Sequence, residues 1–357
     1  MIDAMKAESR RGVRGRVWAL VLAGVLGFAG IAGLTVRAAS ADPTLPPLTP
    51  AELLGKVAAA RVDGLSATFE QRSDLGLPAL PAGVGDDETA TMLGLLTGTH
   101  TIRVWTAGEQ KSKVALVDGS AESAMIRNGS DVWVWSSEKQ EAVHSTLPAT
   151  KRPTVSNPTE AIRTMLSKLD GTTEVTTSGT GYVAGRAVYQ LILTPRATES
   201  LIGQVRVSID AEYFVPLALK VFADDGQEAV GVQATSVDFT VPNDSIFAFQ
   251  PPAGVTVTER AARDKGGKPS ADEPKGDAPK TYGTGWATVA VLTMPTTTGT
   301  DQQQSKALLD SLPAVSGSWG KGRLLSTTLL TAVITDDGRV AVGAVVPDAL
   351  YRALGSR

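Results

Sequence analysis

Between Thr101 and His144 the chain alternates apolar and polar residues in short runs, each ended by a turn signal, and few folds satisfy that pattern. Thr101–Thr106 puts Ile102 and Val104 on one face and Arg103 and Trp105 on the other. Lys113–Val117, Ala124–Arg127, Val132–Trp135 and Glu141–His144 follow, with Asp118-Gly119 and Asn128-Gly129 at the turns. Asp-Gly and Asn-Gly supply the positive φ angles that tight hairpins require. The stretch predicts an antiparallel meander.

The same signals extend in both directions. Leu65–Gln71 reads as a strand before the meander, and Glu174–Thr177, Ala187–Thr194, Gln204–Ile209, Leu217–Phe222 and Ala229–Phe239 read as strands after it. Asp224-Asp225-Gly226 is a further hairpin turn. Thr49-Pro50-Ala51-Glu52 offers a capping hydroxyl, a proline in the first turn and an acid to close a capping box. It predicts a helix to about Arg61, with Leu53, Leu54 and Val57 on one face. Pro158–Leu169 repeats that period with Ile162, Met165, Leu166 and Leu169. Asp74–Gly98 reads as a long loop ending in an apolar turn of helix, placed to act as a lid.

The globular pattern stops near Gly254. Ten of the 21 residues from 260 to 280 are charged, and none of the apolar ones is larger than Ala. Such a segment buries too little to offset its ordering entropy, so residues 258–282 read as a disordered linker. Beyond it, Val289–Leu292, Leu324–Thr335 and Val340–Val346 read as strands, the last two joined at Asp336-Asp337-Gly338. Helices at Asp301–Leu312 and Asp348–Leu354 complete a small C-terminal module, residues 283–357.

The N-terminus sets the compartment. Residues 1–16 carry Lys6, Arg10, Arg11, Arg14 and Arg16, and Val17–Val36 carries no charge. Twenty such residues span about 30 Å as a helix, the thickness of a bilayer core. Ala39-Ser40-Ala41 then has the small-x-small form of a signal-peptidase site. A basic flank before an apolar run directs the rest of the chain across the membrane. Two readings stand: an uncleaved anchor at 17–36, or release by cleavage after Ala41. Either way residues 42–257 form an extracytoplasmic domain.

Composition removes several functions. With no Cys there is no disulfide frame, thiolate zinc site, thiol nucleophile or lipid-modified N-terminal cysteine. Net charge is −3, and without residues 1–41 the balance is 28 basic to 35 acidic residues, against both nucleic-acid binding and charge-driven adsorption to anionic membranes. No nucleophile elbow, P-loop, zinc pair or EF-hand loop is present. His100 and His144, the only imidazoles, fall at strand ends and read as rim residues; an envelope hydrolase stands as a third reading, and its His-dependent version would use one of them. Gly179-Thr-Gly-Tyr-Val-Ala184 has the spacing of a dinucleotide fingerprint but leads into a strand instead of a helix, so the match is accidental. Asp86-Asp87-Glu88 reads as a solvated acidic run. No catalytic residue, metal or cofactor is assigned.

What remains is apolar strand surface. Val132–Trp135, Tyr189–Leu193 and Leu217–Phe222 are heavy in large apolar residues. A curved sheet with a helix or lid inside it encloses an apolar cavity, which suits an acyl chain because burial contributes about 0.8 kcal/mol per CH₂ without directed hydrogen bonds. The other reading is that these residues pack on the helices. By alternation Ile102, Val104, Val114, Leu116, Leu191, Leu193, Leu219 and Val221 share the cavity face, and a one-residue register change would turn each outward.

Four stretches in this order resemble the LolA/RseB-type lipoprotein-carrier superfamily. They are Arg103-Val-Trp105 with Asn128-Gly-Ser-Asp-Val-Trp133; Gly185-Arg-Ala-Val-Tyr189 through Pro195; Ile209-Asp210 through Pro216-Leu217; and Val237-Asp-Phe239 with Ile246-Phe-Ala-Phe249 through Gly254. The resemblance implies an α+β fold: a half-open antiparallel β-barrel or curved sheet capped by helices, holding acyl chains of lipids or lipoproteins. The N-terminal apolar segment, the charged linker and the C-terminal module depart from the simple carrier. The last two resemble the two-domain RseB-like proteins, which sense envelope state and control an anti-sigma factor. The expectation is a non-enzymatic, exported lipid- or lipoprotein-binding protein, with an RseB-like sensor contacting a membrane protein through the C-terminal module as the alternative.

Overall fold

The computed structural model describes residues 43–76, 97–147, 171–260, 279–293 and 309–356. The expected lid at 77–96, the helix at 158–169, the acidic run 86–88, the segment 17–36 and most of the helix at 301–312 lie outside these residues. Among the described residues no helix is long and apolar enough to cross a membrane.

The first helix, α1 (Pro50–Ala59), starts as its sequence dictates. Glu52 N–H donates to Thr49 Oγ1 at 3.3 Å and Thr49 N–H to Glu52 Oε2 at 2.8 Å, closing the capping box. Leu53 and Val57 are buried against the sheet.

Twelve strands make one curved, open sheet. They are β1 (Gly64–Ser73), β2 (Gly98–Ala107), β3 (Lys111–Asp118), β4 (Ala121–Asn128), β5 (Asp131–Ser136), β6 (Glu141–Thr146), β7 (Thr173–Val183), β8 (Arg186–Pro195), β9 (Ile202–Asp210), β10 (Pro216–Ala223), β11 (Glu228–Asp238) and β12 (Thr256–Arg260). Their spatial order is β12-β6-β5-β4-β3-β2-β1-β11-β10-β9-β8-β7. Two antiparallel meanders are thus joined where β1 pairs with both β2 and β11. The expected turns are present, with φ of +56° at Gly119, +64° at Gly129 and +86° at Gly226. Residues 179–184 belong to the β7–β8 hairpin, so no helix opens at the glycine pair.

One strand escapes the sequence reading. The pattern ends at Gly254 in alternation terms, yet β12 lies beyond it and pairs in parallel with β6. All five of its residues are exposed, so no buried face marks it. Backbone pairing alone makes it a strand.

The second sheet has six strands, β13 (Lys280–Tyr282), β14 (Val289–Thr293), β15 (Ala314–Gly317), β16 (Gly320–Ser326), β17 (Thr331–Thr335) and β18 (Arg339–Gly343), in the order β13-β14-β18-β17-β16-β15. The run read as one strand from Leu324 to Thr335 is two. Thr327 donates its hydroxyl to the Leu330 carbonyl and accepts that residue's N–H, turning the chain between β16 and β17. Four apolar or β-branched residues in a row hide a turn made by a threonine side chain. The closing helix α2 (Pro347–Gly355) buries Ala349, Leu350, Ala353 and Leu354 on this sheet, beside Val333 and Ala341.

The two sheets touch. Ser200 bridges Val345, Leu201 N–H donates to the Ala344 carbonyl at 2.9 Å, and Val346 N–H to the Glu199 carbonyl at 2.9 Å. Trp286 packs beside the α1-covered core of the large sheet and donates its indole N–H to Thr173 Oγ1 at 2.7 Å.

Candidate functional site

Register decides which side chains share a face. Ile102 stands opposite Leu116 and Phe69, and Val104 opposite Val114 and Ala67. Phe69 faces Ala234 across β1–β11. Leu219 stands opposite Val232 and Val207, and Val221 opposite Val230 and Val205. Val207 and Val205 in turn face Leu191 and Leu193. Directly paired residues point the same way, so the eight sequence-predicted residues lie on one continuous face. We call this face, on which α1 packs, the inner face.

The eight do not have the same surroundings. Leu191 and Leu193 are fully buried under α1 with Leu53, Val57, Val205 and Val207; Val221 packs beside them. Ile102 and Val104 are buried with Phe69, Leu217 and Val232, and Val114 and Leu116 lie half-buried at that cluster's edge. Leu219 touches both clusters. Towards β6 the inner face opens: Met125 and Val143 flank Val134, which remains 39% exposed.

A Pro-rich strap crosses the α1 side of this face. Thr180 Oγ1 donates to the Pro43 carbonyl at 2.7 Å, Tyr189 Oη to the Pro46 carbonyl at 3.1 Å and Thr177 Oγ1 to the Leu48 carbonyl at 2.9 Å. Leu45 and Leu48 add their side chains to the same core. Proline lacks an N–H, so a strap of this kind is held through its carbonyls and its apolar side chains.

The opposite face carries different chemistry. Trp105, Lys113 and Ile126 alternate with the inner residues and, with Ser245, Phe249 and Gln250, line a crevice of about 430 Å³. None of the eight predicted residues lines it. Lys113 Nζ lies 5.5 Å from the Trp105 ring centroid and 3.3 Å from Glu122. Ala115, Ala124, Ile126, Trp135 and Ala142 form a compact core there, closed by Trp133 and Phe249. The tryptophans that read from the sequence as sheet-forming residues therefore build a second hydrophobic layer outside the main one.

His144 lies at this outer layer. Its ring stacks on Trp133 at 4.3 Å between centroids, with Nδ1 2.8 Å from Glu259 Oε2 and Nε2 3.2 Å from Asp131 Oδ1. The Glu259 hydrogen bond holds the imidazole above its ordinary value, burial works against it, and Asp131 adds to the rise. Both ring nitrogens thus face carboxylates, the geometry of an ion pair and not of a base aimed at a nucleophilic hydroxyl. His100 stands apart on β2, with Nε2 2.8 Å from the Thr97 carbonyl. Both histidines read from the sequence as rim residues, and the carboxylate pair around His144 is not legible there, because Glu259 is 115 positions away on a strand that alternation does not show. Among the described residues no group of His, Asp or Glu could hold a metal ion.

No protein-family model and no curated protein matches the sequence. Solved structures that it resembles include a chain of the Pseudomonas aeruginosa MucA/MucB complex, at 17% identity and a TM-score of 0.46, covering 86% of this chain and 97% of that one. A LolA superfamily protein from Nitrosomonas europaea is 14% identical with a TM-score of 0.23, covering 57% of this chain and 99% of that one. An uncharacterized conserved protein from Thermus thermophilus is 11% identical with a TM-score of 0.36, covering 59% and 98%. These likenesses place MucB-type and LolA-superfamily proteins among the structural neighbours and carry no function to this chain.

Proposed function

We propose that this chain is an exported, non-enzymatic binding protein whose inner face holds acyl chains of a lipid or lipoprotein. The observation that carries the reading is the largely apolar face from Leu193 to Val134, built from strands of one open sheet and interrupted near one end by Gln71, Ser73 and His100. Such a face gains roughly 25 cal/mol for each Å² it removes from water, and it imposes no directional chemistry on the chain it accepts. Ile102, Val104, Val114, Leu116, Leu219 and Val221 are its proposed contacts, with Leu191 and Leu193 supporting it from beneath α1. The N-terminal segment supports export, by anchoring at 17–36 or by cleavage after Ala41.

A second reading has its own observation. The C-terminal sheet has a separate core of Val289, Val333, Ala341 and Leu350, and it docks on the 199–201 turn of the large sheet. A sensor that contacts a membrane partner through residues 283–357 would use such an attached module.

Native mass spectrometry of the protein released from membranes, followed by solvent extraction, tests the first reading. A co-purifying acyl species near one per chain is the expected result. Protein recovered without lipid that also rejects added fluorescent fatty acid would overturn it. Membrane pull-down that loses a defined partner when the C-terminal module is substituted would favour the second.

A further inference from the structure

β12 is attached to the large sheet by little besides its backbone. Its five residues pair in parallel with Glu141–Ser145, all are exposed, and Val257 leaves 46% of its surface in water. Thr256 N–H extends the ladder by donating to the Gln140 carbonyl at 3.0 Å. Segments with so little buried apolar area open at low free-energy cost. One side chain stands against that: Glu259, which faces His144 in register and reaches Nδ1 of its ring.

The other ring nitrogen faces Asp131. A neutral imidazole donates from one nitrogen and presents a lone pair at the other. Between two carboxylates that lone pair would meet negative charge, so only the imidazolium satisfies both contacts. The charged groups facing His144 are Asp131 from β5 and Glu259 from β12, both acidic. Trp133, on which the ring stacks, carries no charge, nor does Phe249, which packs on Trp133. On its own strand Ala142 and Thr146 share its face and are neutral, while Arg260 stands opposite Ser145, on the other face of the ladder.

We propose that His144, Asp131 and Glu259 form a protonation-dependent latch that pins β12 to the sheet while the imidazole is charged and releases it as the pH rises and the ring loses its proton. The ring's value is raised in the latched state, so its stabilisation is complete below the ordinary histidine value and is lost as pH rises through the latched one. Release frees two things together. Arg260 adjoins the charged segment that leads to β13, so the connection between the sheets lengthens. β6 becomes an edge strand with unpaired main-chain donors and acceptors.

Hydrogen exchange on the full chain, corrected for the pH dependence of intrinsic rates, tests this. Protection of the amides at 256–260 should fall by about tenfold for each unit by which the latched value exceeds the released one, in a titration that starts at about pH 6 and rises until the protection levels off. The amides of β9 serve as the reference and should not change. Glu259→Gln removes the charge from a side chain 71% exposed, so it leaves the core intact, and it should show low protection with a much weaker pH response. His144→Phe keeps the ring stack and should be flat. Protection at 256–260 that ignores pH in the native chain, or a Glu259→Gln chain with the native pH response, would overturn the latch.

Discussion

Arg186 and Asp210 lock the turn between β9 and β10 to the β7–β8 hairpin. The guanidinium Nε donates to Asp210 Oδ2 and Nη2 lies 3.2 Å from Oδ1, on a carboxylate with 1% of its side chain exposed. Asp210 Oδ1 also accepts the N–H of Glu212 at 3.0 Å and of Tyr213 at 2.7 Å. Arg186 lies over the rings of Tyr213 and Phe239, which stack on each other at 4.0 Å. One buried acid therefore shapes the turn and gathers three parts of the chain at one end of the sheet.

Removing that acid leaves two backbone donors without their acceptor and a part-exposed guanidinium with Glu212 as its remaining carboxylate. Asp210→Ala should lower stability by about 1–3 kcal/mol, the cost of leaving buried donors without their acceptor. Asp210→Asn keeps an acceptor for the turn and should cost less. Arg186→Lys should not restore native stability, since an ammonium cannot span both carboxylate oxygens. Urea denaturation at one pH ranks the three, and an Asp210→Ala chain as stable as the native one would contradict this role for the acid.

The Trp286–Thr173 hydrogen bond joins the two sheets by a side-chain contact separate from the backbone contacts of the 199–201 turn. Trp286→Phe keeps an aromatic ring but loses the indole donor, and Thr173→Val loses the acceptor at nearly constant volume. Each single change should cost, and the double-mutant cycle should return about 1 kcal/mol of coupling, the usual net worth of such a hydrogen bond. Zero coupling would mean that this hydrogen bond adds nothing to the hold between the sheets, which would then rest on the packing of Trp286 and on the backbone contacts at 199–201 and between Leu75 and Thr328.

Val134 tests the inner face where it is open. It sits in register with Met125 and Val143 and is exposed enough to accept a charge without unfolding the sheet. A carboxylate there would be buried by a bound acyl chain, so Val134→Asp should weaken binding of a fluorescent fatty acid by at least about tenfold, or about 1.4 kcal/mol. Val257→Asp, on the exposed β12, should leave that affinity unchanged. Equal affinities for both variants would move the acyl site away from this face.

The strand framework is legible in the sequence because most strands bury one side only. Alternation in β1, β2 and β8 reports a real difference between two surfaces, and the Asp-Gly and Asn-Gly pairs punctuate the chain. The same logic explains the failures. β12 has no buried side, so it leaves no period, and the turn at 327–330 is made by Thr327, a residue that also suits strands. The common face of the eight candidates can be read from spacing within each strand. Their separation into residues sealed under α1 and residues near the open end cannot, because it depends on where a helix from residues 50–59 lands on strands 130 or more positions later. The latch is invisible for a related reason: its three members come from three strands, one of them unmarked.

The turn between β17 and β18 gives a pH dependence of opposite sign to the latch. Asp337 accepts from Arg339 at 2.9 Å and from the Thr335 hydroxyl, and these contacts, that of Arg339 above all, hold the carboxyl down to about 2. A depressed acid stabilises the folded state above its unfolded value near 3.8, and that contribution is lost as pH falls through about 2. Arg339 also donates to the Leu354 carbonyl at 3.0 Å and the Trp319 carbonyl at 2.8 Å, so it ties the turn to α2 and to the β15–β16 hairpin. Asp337→Asn should therefore destabilise the C-terminal sheet at neutral pH, and the gap from the native chain should close as the medium approaches about pH 2. Trp319, buried and stacked on Tyr351 at 5.6 Å, reports the unfolding of that sheet by its emission. A gap that stays constant from neutral to strongly acidic pH would show that the carboxylate's charge contributes nothing and that only its shape is used.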